Sequence, residues 1–232
     1  RDLVRSRGLG DVYKRQLRDQ GNDATIFVVV GSGMTGLWTA ALFVGGTSLT
    51  GERWTGTLES LVAVPAPLHT VVLGKNLASV AQSLGAMIFS YLLAGLIFGA
   101  LPHIARPGWF VFALLLSIAA YIVSGMLLGA FFILNPEILR FQNGLEFPIY
   151  ILAGFLFPVA LLPGWTTPLS YLLAPYWAAR ALHGASSGAL TREIAIALAI
   201  MALVTAIYVL LVRLLFSRVL HKARVEATLG RQ

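Results

Sequence analysis

Residues 51–76 read GERWTGTLESLVAVPAPLHTVVLGKN and form the longest polar interruption between two hydrophobic runs that also carries a regular pattern. Trp54, Leu58, Leu61, Val62 and Pro65 recur at the spacing of one apolar helical stripe, while Glu52 and Glu59 lie two turns apart on the other side. A helix of this kind cannot cross a bilayer, because its polar face would be stranded in hydrocarbon. It lies along the membrane surface with Trp54 at the level of the headgroups. An ordinary connecting helix would show the same stripe, so pattern alone leaves both readings open.

On either side of this stretch the chain is too apolar for water. Of its 232 residues, 57% are hydrophobic and 12% charged, against about 25% charged in soluble domains. An all-α integral membrane protein is the class these values allow. Uncharged runs predict spans at 24–49, 77–101, 109–134 and 147–162, and an uncharged core between Glu193 and Arg213 predicts a last span at 192–215, five in all. No charged residue occurs from 147 to 179, but Pro158, Pro163, Pro168 and Pro175 break that run. After one span it should therefore continue as short helices that dip back into the membrane and return, with Trp165, Tyr171, Tyr176 and Trp177 at the interface. The chain divides into a basic segment at 1–23, a membrane domain at 24–220 and a basic tail at 221–232.

Polar residues inside the spans mark either helix contacts or a pathway. Gln82, Ser83, Ser90 and Tyr91 lie in the second span, and Ser117, Tyr121 and Ser124 share one side of the third. Of these, Gln82, Ser90, Tyr91 and Tyr121 are the candidates for a substrate path suited to an amphipathic molecule. Gly31, Gly33 and Gly36 satisfy a dinucleotide-binding spacing, but inside a run of membrane length they read as small residues that let helices approach. The Gly125 and Gly129 pair reads the same way.

The chemistry of an enzyme is missing from the sequence. Gly74-Lys75 lacks both the partner glycine and the following hydroxyl of a phosphate-binding loop. Cysteine is absent, and His69, His103, His183 and His221 are scattered, so no metal site is expected. The +7 net charge collects at the chain ends and flanks the membrane rather than marking a nucleic-acid surface. Arg213, Arg218, Lys222 and Arg224 follow the last span and place the tail in the cytoplasm. Counting back, the 51–76 loop is cytoplasmic too, and the basic first segment falls on the outside, against the positive-inside rule.

Glu52-Arg53, Gly56-Thr57-Leu58-Glu59, Leu61, Pro65 and Gly74-Lys75 resemble the cytoplasmic loop of type-2 ABC exporter permeases, and residues 157–182 resemble the segment before the last span of that family. The resemblance covers roughly residues 24–220. It implies a coupling helix that docks on a separate ATP-binding subunit, a re-entrant cap on the exit side, and a complex of two permease and two ATP-binding subunits. The second permease would be a copy of this chain or a sibling. ATP and Mg would sit on the partner subunit, with no cofactor in this chain. Glu52, Arg53, Thr57 and Glu59 would make the coupling contacts, Gly56 would permit close approach, and Lys75 would anchor the next span. The implied function is export of a drug, lipid or glycan-lipid across a prokaryotic inner membrane. The family has six spans where five are counted, and residues 9–16 (LGDVYKRQ) resemble adapter read-through, so the first span is expected to be missing and replaced by foreign sequence in residues 1–16. A genuine basic juxtamembrane tail is the alternative. From a different functional class, a scaffold that recruits a cytoplasmic partner without transport would use the same loop.

Overall fold

Helices are the form in which a single apolar segment satisfies its own backbone in lipid. In the computed structural model, which describes residues 25–44, 56, 68–98, 103–134 and 142–229, the apolar runs are helical. Helix α1 is Thr25–Val44, α2 is Leu68–Phe98, α3 is Pro107–Leu134 and α7 is Thr191–Leu229. These four are the helices long and apolar enough to cross a membrane among the described residues. Between α3 and α7 lie α4 (Gln142–Ala153), two 3-10 turns at Val159–Leu161 and Gly164–Thr166, α5 (Thr167–Leu172) and α6 (Ala174–Ser187).

Three boundaries differ from expectation. The second span begins at Leu68, not at 77, so Gly74-Lys75 lies inside a helix. The polar Asn76 is tolerated there because its Nδ2 donates to the Val72 carbonyl one turn back. The expected span at 147–162 is instead the 12-residue α4, about 18 Å long and too short to cross the hydrocarbon alone. It starts at Gln142, whose side chain donates to the Leu42 carbonyl at 3.1 Å, and so includes Glu146. It ends at Gly154, whose φ of +74° is left-handed backbone that a residue with a Cβ adopts only at a cost. The last span, Thr191–Arg218, lies close to the expected 192–215, and its helix continues beyond it to Leu229.

Helices α1, α3 and α7 run in the same direction. Ser117 of α3 touches the Met201 sulfur of α7, while Trp38 and Ala41 of α1 meet Tyr121 and Gly125 of α3. Closeness is set by small residues. A Cβ on Gly125 would sit 2.2 Å from the Ala41 carbonyl oxygen, and one on Gly31 would sit 2.2 Å from that of Phe155. Trp38, Tyr121, Phe155, Leu182, Ile194 and Met201 fill the core between these helices and α6. By contrast, the membrane-length window of α2 is 11% buried against 56% for α1, so α2 lies on the periphery.

The re-entrant segment is held inside this bundle. Helix α6 packs against both α3 and α7 through Ala178, Ala181, Leu182 and Ala185. The backbone N–H groups of Ala105 and Arg106 donate to the carbonyls of Ser186 and Ala185, each at 3.1 Å. At the other end of α6, the Tyr208 hydroxyl donates to the Leu172 carbonyl. The irregular chain between α4 and α6 satisfies part of its backbone with tight turns, such as Leu162 N–H to Val159 O and Thr166 N–H to Pro163 O. Such backbone is tolerable at membrane depth only when satisfied in this way or covered by protein.

Candidate coupling and translocation site

The two ends of the bundle are chemically different. At one end α1 finishes, α2 starts, α3 finishes and α4 starts; Arg213 and Arg218 of α7, both exposed, lie toward the same end. At the other end α3 and α7 start and α6 finishes, joined by the Ala105 and Arg106 hydrogen bonds and by a contact between the Arg106 guanidinium and the Thr191 hydroxyl. The start of α1 is there too, since Phe27 stacks on His183 of α6 with centroids 4.1 Å apart. The stretch carrying the 51–67 motif therefore connects two helix ends on the side of the basic end of α7, and α6 finishes on the opposite side.

Of the coupling candidates, Glu52, Arg53, Thr57 and Glu59 lie outside the described residues. Gly56 is exposed, with φ +73°. Lys75 is partly buried on α2, about 10 Å along the helix from its start.

The path candidates are not brought together. Ser90 of α2 lines a groove against α1, of about 390 Å³, together with Thr25, Val28, Val29, Ser32 and Leu93. The groove continues past Gly33, Gly36, Ser83 and Met87 as a second space of about 250 Å³. Its hydroxyls are partly satisfied by backbone: Ser32 donates to Val29 O and Ser83 to Gly36 O. Among the described residues no ionised group lines it, so its chemistry suits an apolar body with weak hydrogen-bonding capacity. Gln82 is exposed on α2, and Tyr91 is partly buried. Tyr121 is fully buried in the core, edge-on to Trp38 and Phe155, and its hydroxyl has no partner among the described residues. Trp177, expected at the interface, is also inside, with its Nε1 donating to the Tyr171 carbonyl at 2.9 Å; Trp165 is 72% exposed.

A polar cluster at the α1–α4 contact escaped the sequence reading. The Thr39 hydroxyl lies 2.7 Å from Glu146 Oε1, and the Tyr150 hydroxyl donates to the same oxygen. Thr39 and Tyr150 also touch each other. Glu146 reads as loop in the sequence because the span is expected to begin at Phe147, five residues after the observed start of α4 at Gln142. The signal that could have found it is Glu146 and Tyr150 at i and i+4, one above the other on a helical face. Among the described residues no group of three His, Cys, Asp or Glu side chains could hold a metal ion.

The family model described as ABC-2 type transporter matches residues 9–186. No curated protein matches the chain closely enough to count as a relative. The match spans well over half of the chain and takes in α1 to α6, with the motif-bearing loop between α1 and α2. The chain belongs to the ABC-2 type transporter family and is a multi-pass membrane protein, the permease subunit of an ABC transporter.

Proposed function

We propose that this permease exports a hydrophobic or amphipathic molecule, a drug, lipid or glycan-lipid, from the cytoplasm of a prokaryotic cell. ATP and Mg are bound and used by a separate ATP-binding subunit, and this chain contributes no nucleotide site. The observation that carries the reading is the shared end of the bundle: the loop with Glu52, Arg53, Gly56, Thr57 and Glu59 springs from the same side as the basic end of α7. Basic residues flank the cytoplasmic face of membrane proteins, so that end faces the cytoplasm, where an ATPase resides.

In this reading, closure of the ATP-binding pair presses on the 51–67 loop and displaces the ends of α1 and α2. The Thr39–Glu146–Tyr150 cluster ties α1 to α4 near that end, so α4 follows α1. Movement of α4 is passed through the turn at Gly154 toward the re-entrant segment. Two arrangements of the bundle, open to opposite sides, exchange population because the ATP-bound partner contacts them differently. Ser90, Gln82 and Tyr91 line or flank the groove on which the substrate rests. The second permease is a copy of this chain or a sibling, packed against a surface such as the sparsely buried face of α2.

The test is reconstitution in proteoliposomes with the cognate ATP-binding subunit. Glu59→Lys should insert normally but abolish permease-stimulated ATP hydrolysis and transport. Wild-type transport by this variant would remove the coupling role from Glu59.

A further inference from the structure

Between Phe147 and Thr191 one residue out of Asp, Glu, Lys and Arg occurs, and it is Arg180 on α6. A lone cation in a membrane-embedded segment is costly, and such groups pair with an anion or serve a pathway. Arg180 lies six residues before Ser186, whose carbonyl is bonded at the loop between α2 and α3, so it sits about 9 Å inward from that end of the bundle. Its neighbours Ala178, Ala179, Ala181 and Leu182 are buried against the bundle, whereas Arg180 is exposed.

Aromatic side chains hold the guanidinium. Its Cζ lies 5.8 Å from the centroid of the Trp177 ring, and the Tyr176 ring packs edge-on to that ring with centroids 5.0 Å apart. Tyr171 completes the plate, with ring centroids 5.3 Å from Tyr176 and 5.4 Å from Trp177. The Trp177 ring is itself fixed by its hydrogen bond to the Tyr171 carbonyl. A guanidinium has five N–H donors, and stacking on a ring face consumes none of them. The fork is therefore pre-oriented, with donors left for an oxyanion, and its geometry matches phosphate bidentately. Deeper in the bundle than Arg180, α5 exposes Leu169 and Leu172 at 48% and 67%, a surface for an apolar tail.

We propose that Arg180, backed by Trp177 and Tyr176, recognises the phosphate of an anionic amphiphile at the membrane face opposite the coupling loop. The proposal deepens the exporter reading by naming the chemical class of its substrate, and it rests on that reading for its purpose. Binding needs no ATPase, so it is measured on the purified full chain in a neutral detergent. A failure of transport in the complex and a failure of binding here are then separate results.

The probes are dioctanoyl phosphatidate, uncharged dioctanoylglycerol and inorganic phosphate. Phosphatidate should bind saturably, and Arg180→Gln should weaken it about tenfold or more, the loss expected for hydrogen bonds to a charged group. Arg180→Lys, which keeps the charge but loses the fork, should fall between the two. Each variant should melt at the wild-type temperature, since the side chain is exposed. Equal binding by Arg180→Gln, or equal binding of dioctanoylglycerol, would overturn the site. Displacement of phosphatidate by inorganic phosphate at matched concentration would overturn the amphiphile and leave a free-phosphate site.

Discussion

Glu146 is an acidic side chain near the end of a membrane bundle, and its carboxylate is stabilised there by two hydroxyls, Thr39 and Tyr150. Hydrogen bonds to a charged group contribute about 1.5–3 kcal/mol, and removing the acceptor leaves the Tyr150 hydroxyl with only Thr39 to bond, while Thr39 keeps the Thr35 carbonyl. Glu146→Ala should therefore lower the unfolding midpoint in detergent by more than Thr39→Val, and the pair should couple by about 1 kcal/mol in a double-mutant cycle. Additive losses would show that the cluster does not act as a unit. Tyr121 is the opposite case, a buried hydroxyl without a partner among the described residues. Tyr121→Phe should leave transport unchanged and match or raise the thermal stability, because an unsatisfied buried hydroxyl carries a desolvation penalty of about 1–3 kcal/mol. Loss of transport in that variant would instead return Tyr121 to the substrate path.

At the scale of elements, packing of α1 on α3 depends on the absence of a side chain at Gly125. Gly125→Leu would drive carbon into the Ala41 carbonyl, so the helices must separate, and overpacking of this kind costs about 1–3 kcal/mol or more. Insertion should continue while the folded fraction falls, read as increased protease sensitivity in membranes. Gly154→Ala should destabilise by about 1–2 kcal/mol, since φ +74° is strained for any residue with a Cβ. The glycine spacings at 31–36 and at 125 were legible as helix contacts, and Gly31 and Gly125 do meet neighbouring backbone. So were the helices α1, α2, α3 and α7, because each contains a long uncharged run, although α2 also takes in Lys75 and α7 carries Arg192, Glu193 and Arg213 on either side of its run. The limits of α4 were not, because the run from 147 to 179 contains no charge to mark where the helix stops, and its start is fixed by Gln142 and Glu146 reaching residues about a hundred positions away. Likewise the burial of Tyr121 depends on Trp38 and Phe155, which no local pattern joins to it.

For the whole molecule, the decisive property is sidedness, and the absence of cysteine makes it directly measurable. Single cysteines at Gly56 and Arg218 should react with an impermeant reagent from one side of the membrane, and a cysteine at Ser187 from the other. Labelling of Gly56→Cys and Ser187→Cys from the same side would break the bundle topology. The central claim is that the loop between α1 and α2 engages an ATP-binding subunit. Its most direct test is purification of the tagged chain from its native host in mild detergent, followed by mass spectrometry of the proteins that accompany it. The account predicts a soluble ATPase with a phosphate-binding loop, present with the wild type and lost on Glu59→Lys. Recovery of the folded chain with no ATPase, or an ATPase retained unchanged by Glu59→Lys, would contradict it.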